Sequence, residues 1–174
     1  MSQQGVPSRI IPDPFRFAAE SRSIEGELAV ADLLRLSDAL ASTQDVLGWR
    51  VAGSMVEGAE GMEPRLRLQV DGVLQLRCQR CLAGLEWPLR LDTLLQPVRV
   101  GQPIPEEELE NDEVDAIEIE GELDVLALLE DEILLALPIA PRHQVCEAPR
   151  PDGGSSKESP FAALASLRGS PSAK

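Results

Sequence analysis

Residues 65–78 read RLRLQVDGVLQLRC. Leu66, Leu68 and Val70 alternate with Arg65, Arg67 and Gln69. Leu74, Leu76 and Cys78 alternate in the same way with Val73, Gln75 and Arg77. A period of two puts one set on a core and the other in solvent. Between the runs stands Asp71-Gly72, a strong two-residue hairpin signal, because a type I′ turn takes positive φ at both central positions. The stretch therefore predicts two antiparallel strands, and its neighbours extend them. Upstream lie Ile24–Val30 (IEGELAV), with its two glutamates on one face, and Val46–Val56 (VLGWRVAGSMV), followed by a turn at Gly58 and Gly61. Downstream, Gln79–Gly84 reads as a second turn and Glu86–Val100 as another strand. The sum is an antiparallel β meander, either an open sheet or a partly closed barrel.

Two helices are expected to pack on it. In ADLLRLSDALAS (residues 31–42), Leu33, Leu36 and Leu40 make an apolar stripe and Asp32 suits the positive end of the dipole. Leu123–Leu137 (LDVLALLEDEILLAL) is apolar on nearly every side apart from Asp124 and Glu130-Asp131-Glu132, as a largely buried helix should be. Pro138 ends it. The expected fold class is α+β: the meander against one long apolar helix and a shorter N-terminal one. Residues 1–22, with Pro7, Pro12 and Pro14, read as a flexible arm. Residues 23–140 read as a single domain carrying an acidic loop at 101–114. Residues 141–174 read as a tail rich in Pro, Gly and Ser, ending in a short helix over SPFAALASL with Ser159 as its N-cap.

The chain has 174 residues, long enough to bury a core without staples. Its formal charge is −14, from 30 acids and 16 bases. Between Gly101 and Pro141 stand fourteen acids and no base, so the remainder is neutral and the whole excess sits in one segment. Such a balance disfavours a simple nucleic-acid binder, which neutralises phosphates with Lys and Arg; no DNA partner is expected. Three cysteines make no disulfide framework and suit a reducing compartment. The N-terminus lacks the apolar stretch of a signal peptide, and the longest apolar run, Ile133–Pro141, is too short to span a bilayer. A cytoplasmic protein away from membranes is expected.

Few residues are placed for chemistry. Cys78 and Cys81 form a CxxC at the end of a strand, and His143 and Cys146 an HxxC later. Three cysteines with one histidine are a legitimate zinc set. The plainer alternative puts Cys78 in the core, lets Cys81 cap a turn and makes the later pair incidental. On that alternative no cofactor is needed, and it is the favoured one. No Gly-rich phosphate loop, DxD or HExxH spacing occurs, and the surroundings of His143 hold no nucleophile, so no catalytic residue is assigned. The bases are almost all arginine. Arg65, Arg67, Arg77 and Arg80 could form a basic face for an RNA backbone, since guanidinium binds phosphate bidentately. The alternative is that they face solvent or pair with acids. Glu106, Glu107, Glu108, Glu110, Asp112 and Glu113 would repel RNA and suit a basic protein.

Three stretches in this order, LRCQRCLAGLEWPLRL, GELDVLALLEDEILLALPIAP and SPFAALASL, resemble the YceD family of bacterial proteins, the large ribosomal RNA subunit accumulation family. Cys78, Arg80 and Cys81 match its Cys-x-Arg-Cys element, Glu130, Asp131, Glu132 and Pro138 its helix signature, and Phe161, Leu164 and Leu167 its C-terminal element. The resemblance implies a non-catalytic ribosome biogenesis factor supporting accumulation or processing of large-subunit ribosomal RNA. Its partner would be the RNA precursor, a basic ribosomal protein or a nuclease. Some relatives carry further cysteines after the Leu-Pro, where this chain has only His143 and Cys146.

Overall fold

The computed structural model describes residues 9–58, 61–102 and 114–149. At its centre is one strand of 17 residues, β5 (Gly61–Arg77). Asp71-Gly72 lies inside it and makes no turn. Gly48 pairs with Asp71 on one side and Leu89 with Gly72 on the other. The reason is first the backbone, since Gly72 holds φ 153, which residues with a Cβ rarely adopt; a Cβ there would also stand 2.6 Å from Leu47 Cδ2. The glycine marks a conformation inside a continuous strand, close against Leu47, and not a reversal of the chain.

The preceding strand β4 (Val46–Gly58) pairs with the first half of β5, and β3 (Leu40–Ser42) continues that edge beyond it. Strand β2 (Ser23–Ala29) adds outside β4. On the far side β6 (Gly84–Arg99) runs antiparallel to β5. Strand β7 (Val114–Ile119) then pairs with β6 in parallel. The sheet order is β2-β4-β5-β6-β7, with β3 on β5. Rows across the sheet alternate in character. Gly26, Trp49, Val70 and Leu91 are successive partners on the core face, while Glu25, Arg50, Gln69 and Asp92 are successive partners on the other.

The core face is covered by three pieces. Helix α1 (Pro14–Ala19) is capped by the Asp13 carboxylate, which accepts from the Arg16 N–H at 2.9 Å, and has proline at its first turn. It buries Phe17 and Ala18. Gly53 lets it sit on β4: a Cβ there would be 2.7 Å from the Ala18 Cα. Residues 30–36 form two 3-10 turns, Val30–Asp32 and Leu34–Leu36. Helix α2 (Val125–Ala136) follows the short strand β8 (Leu123–Asp124), which pairs with β1 (Ile10–Ile11). Asp124 caps α2, accepting from the Leu126 and Ala127 N–H groups at 2.9 and 3.2 Å. Val125, Leu129 and Ile133 are its fully buried side chains.

These findings correct the expected α+β class. The protein is mostly β, and the two α-helices among the described residues are short. The last helix has 12 residues, not a long rod, because Leu123 and Asp124 are extended and Leu137 already has ψ 143. The stretch read as a shorter N-terminal helix, residues 31–42, is 3-10 turns and strand β3. Val30, Leu33 and Leu36 are buried at a spacing of three, which suits the three residues per turn of a 3-10 helix. The meander is not wholly antiparallel, because β7 pairs with β6 in parallel. It closes into no barrel among the described residues, since β2 and β7 hold opposite edges. Residues 10–19, within the stretch read as an arm, form β1 and α1. The terminal SPFAALASL element, with Phe161, Leu164 and Leu167, lies outside the described residues.

Candidate metal centre and charged surfaces

The β5–β6 connection is a knuckle. Cys78 N–H donates to the Ala83 carbonyl at 2.9 Å and Leu82 N–H to the Cys78 carbonyl at 2.9 Å. Leu82 takes a left-handed conformation, φ 64, which lets the chain double back within six residues. The chain leaving α2 returns over this knuckle. Gln79 N–H donates to the Pro141 carbonyl at 2.8 Å. Arg80 Nη1 donates to the Cys146 carbonyl at 3.3 Å. The result brings together the four residues named from spacing. The donor atoms of Cys78, Cys81, His143 and Cys146 all lie within 4.8 Å of one another. Cys78 Sγ is 3.8 Å from Cys146 Sγ, and Cys81 Sγ is 3.3 Å from His143 Nδ1.

The tautomer of His143 follows from its other contact. Nε2 faces the Gly84 carbonyl at 3.0 Å, and a carbonyl can only accept. Nε2 therefore carries the proton and Nδ1 turns its lone pair on Cys81. The Cys78 thiol is held at about 5, first by the backbone N–H of Cys81, then with help from those of His143 and Arg80, against burial. Cys146 is pushed the other way, first by burial and then by the neighbouring sulfurs. No disulfide joins the three cysteines. This is a group that could hold a metal ion. The partners that orient it, Gly84 and Pro141, act through backbone carbonyls, which have no signature in a sequence. Leu82 could have been suspected only from the tight Cys-Leu-Ala-Gly turn.

The arginines read as an RNA face are held by the chain's own acceptors. Arg67 makes a bidentate pair with Asp92, at 2.7 and 2.6 Å. Asp92 is lowered in consequence, first by the Arg67 hydrogen bonds. Arg65 is buried beside Glu63 at 2.8 Å. Arg77 reaches the Leu40 carbonyl at 3.3 Å, and Arg80 the Cys146 carbonyl. They do not share one surface: Arg67 and Arg77 lie on the outer face, Arg65 is buried and Arg80 is in the knuckle. The outer face as a whole mixes signs, with Glu25, Glu27, Asp71, Glu86 and Asp92 among Arg50, Arg67, Arg77 and Arg90. A trough of about 610 Å³ opens on it over Gly48, between Glu25, Arg50, Gln69, Asp71 and Arg90. The acids Glu106, Glu107, Glu108, Glu110, Asp112 and Glu113 lie outside the described residues.

The three acids of α2 tie the helix down. Glu130 accepts from the Arg35 backbone N–H at 2.6 Å, Asp131 pairs with the Arg35 guanidinium, and Glu132 meets Thr93 of β6. The Glu-Asp-Glu run thus fixes α2 to the second 3-10 turn and to the sheet. No described helix is long and apolar enough to cross a membrane.

No solved structure matches the chain. A curated relative, the large ribosomal RNA subunit accumulation protein YceD of Haemophilus influenzae, is 28% identical over 184 residues, spanning 95% of this chain and 98% of the relative. The model of the family described as "Large ribosomal RNA subunit accumulation protein YceD" matches residues 66–168, from β5 through the knuckle and α2. With more than half its length under that match, and with the Cys-x-Arg-Cys knuckle and the anchored Glu-Asp-Glu helix both inside it, the chain belongs to the YceD family.

Proposed function

We propose that the protein is a non-catalytic, cytoplasmic ribosome biogenesis factor that supports the accumulation of large-subunit ribosomal RNA. It does so by holding a basic protein, either a ribosomal protein or a nuclease, and not by gripping the RNA backbone. The family and its Haemophilus relative support the first half by name. One observation carries the second: Arg67, on the outer face, is already paired through Nε and Nη2 with Asp92, so a phosphate meets a neutralised pair and not a lone guanidinium. A phosphate approaching Arg67 would have to share it with a carboxylate of its own charge sign. Around that pair the outer face mixes both signs, and the chain's net −14 repels a polyanion at long range. A basic protein feels the opposite force, with the acid-rich stretch Glu106–Glu113 as its natural counterpart.

The test has two arms. Precursor large-subunit RNA is titrated with the purified full chain over a salt series, alone and in the presence of a basic large-subunit ribosomal protein. The expected result is negligible binding of RNA alone and retention once the protein partner is added. Tight, salt-dependent binding to RNA alone would overturn the reading in favour of direct backbone contact.

A further inference from the structure

We propose that Cys78, Cys81, His143 and Cys146 form a tetrahedral zinc site that clasps the chain after α2 onto the β5–β6 knuckle. The inference is independent of the functional reading above. It starts from a problem of packing. Residues 139–149 have no helix or strand, and their apolar side chains do little: Ile139 and Val145 are fully exposed. Pro141 is buried, and hydrogen bonds run to the segment from Gln79 and Arg80 and from it to Gly84. A hydrogen bond of this kind contributes no more than the backbone entropy lost in fixing one residue in place. The segment nevertheless arrives with two soft donors aimed at two more.

The donor set selects the metal. Three thiols and one imidazole are a Cys₃His shell, a common closed shell of structural zinc. A tetrahedral ion with ordinary bond lengths has donor–donor edges of about 3.5–3.8 Å. The Cys78–Cys146 separation of 3.8 Å and the Cys81–His143 separation of 3.3 Å are close to such edges, and no donor pair exceeds 4.8 Å. The histidine is arranged as a ligand. Its Nε2–H is fixed by the Gly84 carbonyl and its Nδ1 lone pair faces the group, the orientation that an outer hydrogen bond imposes on metal-bound imidazole. A disulfide between Cys78 and Cys146 would leave Cys81 and His143 idle. Zinc uses all four. It would close a span of more than sixty residues between knuckle and segment.

The experiment uses the full chain, purified with reductant and without chelator. Elemental analysis should find one zinc per chain. Cys81→Ser and Cys146→Ser should each lower that to under about a tenth, whereas His143→Cys, which offers a fourth thiolate, should keep it. The clasp has its own readout. Arg142 is exposed within the segment, so trypsin can report the segment's release. A chelator should speed cleavage after Arg142 at least about tenfold while the β-sheet circular dichroism persists, because only the segment opens. Protein without zinc would overturn the proposal, as would another metal, a Cys78–Cys146 disulfide in the reduced preparation, or a cleavage rate indifferent to chelator. Since the parent's zinc content, the His143→Cys variant and the chelator experiment need no disruptive mutation, a misfolded serine variant leaves the decision intact.

Discussion

Glu132 shows how much a single side chain depends on where it stands. It lies on α2 against Thr93 and is half-buried, and its carboxyl is raised above the ordinary 4.5, first by burial and then by the charges of Asp115 and Asp131, with Thr93 opposing. A carboxyl that binds its proton more tightly in the folded chain than in the unfolded one stabilises the fold most at low pH. That contribution is whole below the unfolded value, near 4.5, and is lost as the pH climbs through the raised folded value. Glu132→Gln keeps an acceptor for Thr93 and removes the penalty. Denaturant melts should find the variant more stable than the parent at pH 7, with the gain fading as the pH falls toward about 4. An advantage that is the same at both pH values would show that burial is not what burdens this group. Gly53 makes a simpler case. Gly53→Ala sets a methyl carbon 2.7 Å from the Ala18 Cα, a backbone atom that cannot rotate away. It should cost roughly 1–3 kcal/mol in the same melts, as overpacking does, by lifting α1 from β4. A loss under about 0.5 kcal/mol would mean that α1 is free to shift.

At the scale of elements, what could be read in advance followed from side-chain period, and what could not followed from pairing. β2, β4 and β6 were legible because burial on one face writes an alternation into the residues themselves. Asp71-Gly72 misled because the dipeptide is consistent with a turn, while Gly72 in fact holds a positive φ of 153 within a continuous strand, close against Leu47 of β4. Residues 30–36 misled because leucines three apart serve an α-helix and a 3-10 turn alike. β7 went unread because Asp115, Glu118 and Glu120 made its surroundings look solvated, although Val114 and Ile119 are buried. In the candidate centre, spacing offers Cys78, Cys81, His143 and Cys146 only as one possible set beside the plainer reading that the later pair is incidental; only the folded chain shows that residues 137–146 return to the knuckle. The helix α2 gives the sharpest energetic test at this level. Ile133 is wholly buried against the core, so Ile133→Ala should cost about 2–5 kcal/mol through the cavity it leaves. Asp124→Ala, which strips the cap from the first turn, should cost about 1 kcal/mol. Chemical denaturation checks both, and equal effects from the two would contradict the burial of Ile133.

The molecule as a whole carries its charge unevenly, and that bears on what it meets in the cell. Arginines on the sheet are set against acids of the same sheet: Arg67 with Asp92, Arg65 with Glu63, Arg50 3.8 Å from Glu25. The excess of acids is left to the segment between Gly101 and Pro141. Exposed pairs such as Arg67 and Asp92 contribute little to stability, so their replacement is a clean probe of function. If a basic protein is the partner, Arg67→Gln should leave both the fold and the association with ribosomal precursors within about twofold of the parent. Replacing Glu106, Glu107, Glu108, Glu110, Asp112 and Glu113 by Gln or Asn removes six charges from one stretch. That should weaken capture of the basic partner and flatten its salt dependence, since the long-range attraction is what salt screens. In cells the second variant should lower the level of large-subunit ribosomal RNA while the first does not. Direct RNA binding predicts the reverse order, because the loss of Arg67 would then remove a phosphate contact and the loss of six acids would relieve repulsion. Comparing the two variants by co-sedimentation with ribosomal precursors therefore separates the accounts by sign and not only by size, and normal RNA levels in both would remove charge segregation from the explanation altogether.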